Sequence, residues 1–381
     1  MSTMERLLRL MSEKKASDIY LSAYSPALIR INGICHPVNN QLLSVEASRN
    51  LLAEILTPEQ MDELDQTGEI NAGYFLPGIG RFRISGMKQR GTCAAVVRFI
   101  AISIPSLASQ LLPPVLSQLS MEKRGLILLV GAAGSGKSTT LAAMLDHRNE
   151  NESGHILSIE DPIEFVFKNK KSIVNQRELG TDTESLAVAL KNALRQAPDV
   201  ISIGEIRDRD TMSAAISYAQ SGHLCLATMH SNNSVHALNR ILGFYPVEVR
   251  LTMLSDLAHS LKAVISQRLL RTQSGSRIAA NEVLLNTTLV SELIGKGDFF
   301  GVKDALEKSM AQGSQTFEQD IARLIIEGTI DRKEGLSHAD SPTNLMWRLQ
   351  NDFSQRGSSE VSEVSNDEAP TFTEFTLDMK S

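Results

Sequence analysis

Positive charge, paired cysteines and long apolar stretches are all scarce in this chain. Its 381 residues carry 38 Lys and Arg against 44 Asp and Glu, a formal net charge of -6. Nucleic-acid backbones require a concentrated basic surface, so we expect no nucleic-acid partner. The three cysteines, Cys35, Cys93 and Cys225, are odd in number, far apart and without a C-x-x-C pair. This pattern excludes a disulfide framework and a cysteine zinc site, and it favours buried, reduced thiols.

No segment resembles a membrane span or a signal peptide. The strongest apolar run, residues 126–130, is far too short to cross a bilayer. The N-terminal sequence MSTMERLLRLMSEKK places charges among its leucines and lacks an apolar core followed by a small-residue cleavage site. We therefore expect a cytoplasmic protein.

The length favours two domains and a tail. Residues 1–100 predict a small α+β domain with a helix near the N-terminus and a second helix that starts with a capping box at Thr57. Residues 101–124 contain three prolines and are predicted to be a linker. The predicted strands of the first domain are 19–21, 28–31, 73–76, 80–87 and 93–100.

Residues 125–351 have a different pattern, in which apolar strands without alternation are followed by helical stretches. This pattern is typical of an α/β domain, a mostly parallel sheet covered on both faces. A further capping-box pattern starts at Thr181, before a helix predicted to end near Pro198. Residues 352–381 are acidic and lack apolar periodicity, so a disordered tail is predicted.

The sequence GAAGSGKS follows an apolar strand and opens a helix. Glycines let successive backbone N–H groups point at phosphates, and the helix N-terminus adds partial positive charge. Lys137 is predicted to reach the β- and γ-phosphates of ATP, and Ser138 to ligate Mg²⁺. A chance glycine-rich turn is a poor alternative in this strand–loop–helix setting. The predicted ATP-binding residues of this loop are Gly131, Ala132, Ala133, Gly134, Ser135, Gly136, Lys137, Ser138 and Thr139.

Three carboxylates, Glu160, Asp161 and Glu164, lie at the end of a predicted strand in SIEDPIEF. Taken alone, an ordinary acidic loop is the better interpretation. Beside a phosphate-binding loop, a cluster that organises Mg²⁺ and the attacking water becomes the better one. We therefore predict a catalytic role for all three.

Two further strands end in polar residues. VISIGE ends in Glu205, and because Gly204 occupies the place where many P-loop enzymes have Asp, Glu205 is predicted to be the base that orients water at the γ-phosphate. HLCLATMH ends at His230, with His223 before it and His236 after it, in no metal-binding spacing. A lone histidine is usually structural, but at the carboxyl end of a sheet strand His230 could contact phosphate or sense its loss.

These motifs, in this order, resemble the Walker A, Asp box, Walker B and His box of the type II/type IV secretion ATPase superfamily: GAAGSGKS, SIEDPIEF, ALRQAPDVISIGEIRD and SGHLCLATMHSNNSVHALNRI. The resemblance implies a PAS-like N-terminal domain, a RecA-like domain, ATP between them and a homohexamer. It also implies that arginines of the first domain approach the phosphates. Arg83 and Arg98 match best and Arg81 less well, while Arg195 and Arg207 are further candidates. For each, a surface charge or a structural ion pair is an equally good interpretation.

Within the superfamily the chain resembles the retraction branch, the PilT/PilU family. We expect no extra N-terminal domain, and the three cysteines cannot form a four-cysteine module. The stretches HRNENESGHILSIEDPIEF, CLATMHSNN and LSHADSPTNL resemble the PilU kind more than the PilT kind. Residues 287–297 stand where PilT members carry AIRNLI. The resemblance implies an ATPase at the inner membrane that powers or assists pilus retraction and twitching motility. Its implied partners are a PilT-type motor and the membrane platform protein.

Two alternatives remain open from the sequence. The chain could be a nucleotide-binding regulatory subunit of the retraction machinery, or a secretion or assembly ATPase.

Overall fold

A computed structural model describes residues 2–31, 33–100 and 104–357, with side chains as far as residue 351. The last helix runs to Gly357, past the tail boundary predicted at residue 352. The rest of the predicted tail, residues 358–381, lies outside the described residues. Within the described part of the chain, no helix is both long and apolar enough to cross a membrane.

The described residues up to 100 form one antiparallel sheet and three helices. The strands are β1 (Asp18–Ser22), β2 (Leu28–Ile31), β3 (Ile34–Pro37), β4 (Glu69–Leu76), β5 (Gly80–Gln89) and β6 (Thr92–Ile100). The helices are α1 (Thr3–Glu13), α2 (Val45–Ala53) and α3 (Pro58–Thr67). The strand order is β3-β2-β1-β6-β5-β4.

The three helices pack on one face of this sheet. Met4 of α1 and Leu52 of α2 share a buried apolar core with Phe82 of β5. Because side chains alternate along a strand, Arg81 and Arg83 of β5 lie on the opposite, polar face. This polar face is the one available to the rest of the molecule.

A seven-stranded sheet forms the centre of the second domain. Its strands are β7 (Gly125–Val130), β8 (Gly154–Glu160), β9 (Ser172–Glu178), β10 (Val200–Ile203), β11 (Leu224–Met229), β12 (Leu261–Arg271) and β13 (Arg277–Leu285). The strand order is β13-β12-β7-β11-β10-β8-β9, and β13 alone runs antiparallel to its neighbour among these strands. The predicted α/β class is thereby confirmed.

Helices alternate with most of the strands of the second domain. They are α4 (Val115–Ser120), α5 (Lys137–Asn151), α6 (Leu186–Ala193), α7 (Arg209–Gln220), α8 (Ser234–Gly243), α9 (Arg250–Ser260), α10 (Thr288–Lys296), α11 (Phe299–Glu307), α12 (Phe317–Ile326), α13 (Arg332–His338) and α14 (Pro342–Gly357). Short 3-10 turns occupy Leu194–Gln196 and Val247–Val249. Helix α6 is capped by Ser185, so the cap predicted at Thr181 is wrong.

Both faces of the central sheet are buried. Leu126 and Leu128 of β7 belong to one apolar core, whereas Ile127 and Leu129 belong to another. Alternate residues of a strand point to opposite faces, so two cores on one strand require cover on both sides. The carboxyl ends of β7, β8, β10 and β11 consequently meet at one edge, where the predicted motifs come together.

Most of the predicted linker packs on the second domain. Leu107, Leu112 and Leu116 are buried in the same core as Ile127 of β7. Pro114 directly precedes α4, where a missing N–H has no consequence for helix bonding. The described residues from 104 to 124 therefore belong to the second domain, while 101–103 lie outside the described residues.

Candidate active site

The loop between β7 and α5 has a backbone that requires glycine at two positions. Gly134 and Gly136 have φ of +73° and +89°, a region that residues with a side chain rarely adopt. A Cβ on Gly136 would also lie 2.6 Å from the side-chain nitrogen of Gln267. The loop thus curls tightly at the N-terminus of α5, where backbone N–H groups have no partner within the helix.

Lys137, the first residue of α5, folds back across this loop. Its ammonium donates to the carbonyl oxygens of Gly131 at 2.9 Å and Ala132 at 2.8 Å. Burial lowers the pKa of Lys137, and the nearby carboxylates of Glu205 and Glu164 oppose that shift. The side chain is therefore a positive charge held at the centre of the loop.

A cavity of about 270 Å³ lies beside this loop. Its wall combines loop residues with the carboxyl ends of three strands. The predicted site residues that line it are Ala133, Gly134, Lys137, Ser138, Glu160, Asp161, Glu164, Glu205, Arg207 and His230. Gly136 and Thr139 line a second cavity on the side of β12. A Cβ on Gly131 would lie 2.4 Å from the Ser135 hydroxyl oxygen.

Glu160 ends β8 and is held by three donors. Its carboxylate accepts from the Ser158 hydroxyl at 2.8 Å, the Gln176 amide at 3.0 Å and the backbone N–H of Glu164 at 3.4 Å. Burial raises its pKa, and these hydrogen bonds oppose the rise. Asp161 and Glu164 are exposed at the cavity mouth, with Asp161 3.7 Å from Arg207. The three predicted carboxylates thus share one cavity in different environments.

Glu205 follows β10 and meets His230, which follows β11. The Arg207 side chain donates to one carboxylate oxygen at 2.8 Å, and the His230 Nε2 lies 3.2 Å from the other. These two contacts fix the orientation of the Glu205 carboxylate. Glu205 lines the cavity at the carboxyl end of β10. His223, which directly precedes β11, instead contacts the Tyr218 carbonyl. His236 of α8 lines a different cavity.

Gly204 has a steric reason to lack a side chain. A Cβ there would lie 3.1 Å from the Ile159 carbonyl and 3.3 Å from the Cα of Glu160. The Gly204 backbone is bonded on both sides, by its N–H to Ile159 and by its carbonyl to the Thr228 hydroxyl. The carboxylate of this motif must come from Glu205.

The arginines of the first domain lie apart from this cavity. Arg98 and Arg83 are register partners on β6 and β5, and Arg98 donates to the buried Asp18 at 2.9 Å. Neither is among the described residues that line the cavity. Arg81 crosses to the second domain and bonds Glu178 at 2.8 Å. Arg195 is exposed in a 3-10 turn, and Arg207 contacts Glu205 as described.

Sequence reasoning missed Gln267, a buried residue of β12. Its side-chain nitrogen donates to the Ser135 carbonyl at 2.8 Å, and its side-chain oxygen accepts from the Thr140 hydroxyl at 2.7 Å. It thereby connects the loop to the first turn of α5. The polar pair Gln-Arg inside the apolar stretch AVISQRLL was the available signal, since a buried polar residue needs partners.

The oxygen donors of the cavity fit magnesium better than a transition metal. Within the described residues, no three His, Cys, Asp or Glu side chains are arranged to hold a metal ion. The Ser138 hydroxyl and the carboxylates are the hard oxygen ligands that Mg²⁺ accepts together with water and phosphate. A metal here would need phosphate oxygens to complete its coordination.

Comparison with known proteins agrees with this geometry. A family model described as type II/IV secretion system protein matches residues 2–298. The chain is 46 % identical over 347 residues to the type IV pilus ATPase PilU of Pseudomonas aeruginosa, with 91 % of each protein covered. It is 36 % identical over 339 residues to the type IV pilus retraction ATPase PilT of the same organism, covering 89 % of this chain and 98 % of PilT.

A solved structure extends the likeness to three dimensions. The crystal structure of the pilus retraction motor PilT with bound ADP matches with a TM-score of 0.84 and 36 % identity, covering 90 % of this chain and 98 % of that one. The chain therefore belongs to the type II/IV secretion system protein family, among the type IV pilus ATPases related to PilU and PilT.

Proposed function

We propose that this protein is an ATP-hydrolysing subunit of the type IV pilus retraction machinery, and that it assists a PilT-type motor. The observation that carries the proposal is the meeting of Lys137, Glu160, Glu205 and His230 around one cavity at the phosphate-binding loop. The kinship with PilU and PilT supports the assignment to pilus retraction and twitching motility.

Nucleotide binding begins at the loop. Lys137 donates to two carbonyls of its own loop, and phosphate oxygens are stronger acceptors because they carry negative charge. The β- and γ-phosphates would draw this ammonium away from Gly131 and Ala132. Magnesium that enters with ATP would be held by Ser138 and would supply positive charge against the phosphate oxygens.

Hydrolysis requires a group that orients and deprotonates water. Glu205 fills this role best because Arg207 and His230 fix both of its oxygens next to the cavity. Glu160, Asp161 and Glu164 line the same cavity and would hold further water there. His230 sits where it would detect a change in charge when the γ-phosphate is lost.

The first domain completes the site. Arg83 and Arg98 are neighbours on the polar face of a PAS-like domain, and this face contacts the second domain through Arg81. Closure of the two domains over ATP would bring these guanidinium groups toward the phosphates. Rigid-body rotation between the domains of a homohexamer would then do mechanical work at the membrane platform protein, on the cytoplasmic side of the inner membrane.

The accessory role rests on residues 287–297. This segment forms α10, which buries Val290 and Ile294 and leaves Leu289 55 % exposed. It stands where PilT members carry AIRNLI, and it lies outside the cavity that holds the predicted site. A change here alters what the ring transmits or to which partner, while leaving the capacity to hydrolyse ATP.

The test is mechanical and genetic. Fluorescently labelled pili are followed in strains that lack the PilT-type gene, this gene, or both. We expect retraction to cease without the PilT-type gene and to lose force without this one. A strain that carries Glu205→Gln at the native locus shows whether the protein assists retraction by hydrolysing ATP or only by being present in the machinery. Robust retraction by this protein alone would contradict the accessory role.

A further inference from the structure

One ion pair joins the two domains. The Arg81 guanidinium of β5 donates to the carboxylate of Glu178, the last residue of β9, at 2.8 Å. Among the described residues it is the only ion pair that connects the first domain to the second. The Glu178 side chain is 7 % exposed and that of Arg81 23 %, so the contact is largely withdrawn from water.

The glycine beside this pair leaves room for it. Gly73 lies on β4, next to β5, and a Cβ there would be 3.0 Å from the Arg81 Nη2 and 3.5 Å from the Glu178 carboxylate. Its φ is not in the left-handed region, so the backbone does not demand glycine. The small residue therefore matters for the space that the guanidinium occupies.

Glu178 also contacts the acidic stretch SIEDPIEF, residues 158–165, at the active site. The same carboxylate oxygen that Arg81 contacts accepts the backbone N–H of Ile163 at 3.0 Å. Ile163 lies between Asp161 and Glu164, two of the carboxylates at the cavity. In addition, Glu160 and Glu178 are register partners on neighbouring strands. Glu178 therefore fixes the backbone that carries the acidic residues, in the immediate neighbourhood of Glu160.

We propose that Arg81 is a positioning residue for ATP hydrolysis, which acts through Glu178 to hold the acidic stretch in place when the first domain is docked. The charge of Arg81 offsets that of Glu178 beside Glu160 and keeps the Ile163 N–H on its acceptor. Undocking removes this countercharge, and the stretch loses its fixed geometry. Domain position and catalysis are thereby coupled within one chain. The inference rests on the proposed ATPase function.

The pair predicts a specific kinetic signature in the full-length protein. Arg81→Ala and Glu178→Gln should each lower kcat by on the order of tenfold to a hundredfold, the usual effect of a small displacement of catalytic groups. Affinity for a fluorescent ATP analogue should stay within about twofold, because the phosphate-binding loop is untouched. The double variant should be no slower than the slower single variant, since both changes break one contact.

Two further variants separate this role from general folding. Gly73→Ala keeps both charges but displaces the guanidinium, and it should lower kcat in the same direction with unchanged affinity. Arg49→Ala removes a bidentate ion pair with Asp65 within the first domain, with hydrogen bonds of 2.9 and 2.6 Å. This control variant should leave kcat unchanged. If Arg81→Ala fails to fold, Gly73→Ala carries the test.

Two outcomes would overturn the inference. Normal kcat in both Arg81→Ala and Gly73→Ala would show that the pair has no catalytic consequence. A large loss of nucleotide affinity at unchanged kcat would show that Arg81 contacts the nucleotide instead of acting through Glu178. Absence of hydrolysis in the unmodified protein would be a failure of the proposed function, and is distinguishable from both.

Discussion

The side-chain amide of Gln267 bridges the phosphate-binding loop and the helix that follows it. Both of its polar atoms are bonded in a buried position, to the Ser135 carbonyl and the Thr140 hydroxyl. An apolar replacement would leave those two groups without partners, which usually costs about 1–3 kcal/mol for each buried group.

We therefore expect Gln267→Leu to weaken nucleotide binding by about tenfold and to lower the melting temperature by several degrees. Titration with a fluorescent ATP analogue and a thermal melt measure the two effects. Gln220→Leu is the matched control, because the exposed Gln220 side chain donates to Asp256 at 2.9 Å in a hydrogen bond that water can replace. Unchanged nucleotide affinity in Gln267→Leu would show that the loop keeps its form without this bridge.

Residues that belong to a local sequence motif could be placed at the cavity in advance. Lys137, Ser138 and Glu205 each follow an apolar strand within a recognisable motif, and they line one cavity. Gln267 and Glu178 could not be identified in this way. Gln267 reaches Ser135 across 132 positions of the chain, through the pairing of β12 with β7. Only the strand order determines that contact.

At the scale of elements, the segment after β11 is tied to the C-terminal helices. The Asn232 carbonyl accepts from Arg268 of β12 at 3.2 Å, and the Asn233 amide donates to Asp340 at 3.0 Å. Arg268 and Asp340 also form an ion pair, and the Arg268 guanidinium lies 3.9 Å from the centre of the Phe317 ring. These contacts hold the segment that begins at His230 against β12 and against the residues just before α14.

Loss of this anchor should loosen His230 against Glu205. We expect Asp340→Asn to lower kcat by about fivefold, equivalent to about 1 kcal/mol for a partly exposed charged contact. Glu327→Gln is the control, because it removes an exposed ion pair with Arg323 at 2.9 Å on the same group of helices. Equal rates in the two variants would show that the C-terminal helices do not influence the site.

Helix caps show what local patterns can and cannot determine. The capping box at Thr57 is confirmed, since the Gln60 N–H bonds to the Thr57 hydroxyl and the Gln60 side chain accepts from the Thr57 N–H. The equivalent pattern at Thr181 fails because the chain first turns around Glu178, whose backbone N–H donates to Asp182. Strand β3 and helix α2 were not predicted, and neither carries a long periodic pattern.

At the scale of the whole molecule, the described structure leaves Arg83 and Arg98 of the first domain outside the cavity. The Arg83 side chain has no hydrogen-bonding or charged partner within the described residues, and the Arg98 side chain bonds Asp18. We expect these side chains to reach the phosphates only when domains close within a ring. Light scattering should give a mass about six times the 41.7 kDa of one chain, at least with nucleotide. A monomer with full ATPase activity would exclude the ring.

The central claim is that the cavity at the phosphate-binding loop hydrolyses ATP, with Lys137 holding phosphate and Glu205 activating water. It is tested most directly by ATP turnover and nucleotide binding of the purified protein beside Lys137→Ala and Glu205→Gln. The unmodified protein should hydrolyse ATP, Lys137→Ala should bind nucleotide weakly, and Glu205→Gln should bind ATP but turn it over at least about a hundredfold more slowly. Near-normal turnover in Glu205→Gln would contradict the account.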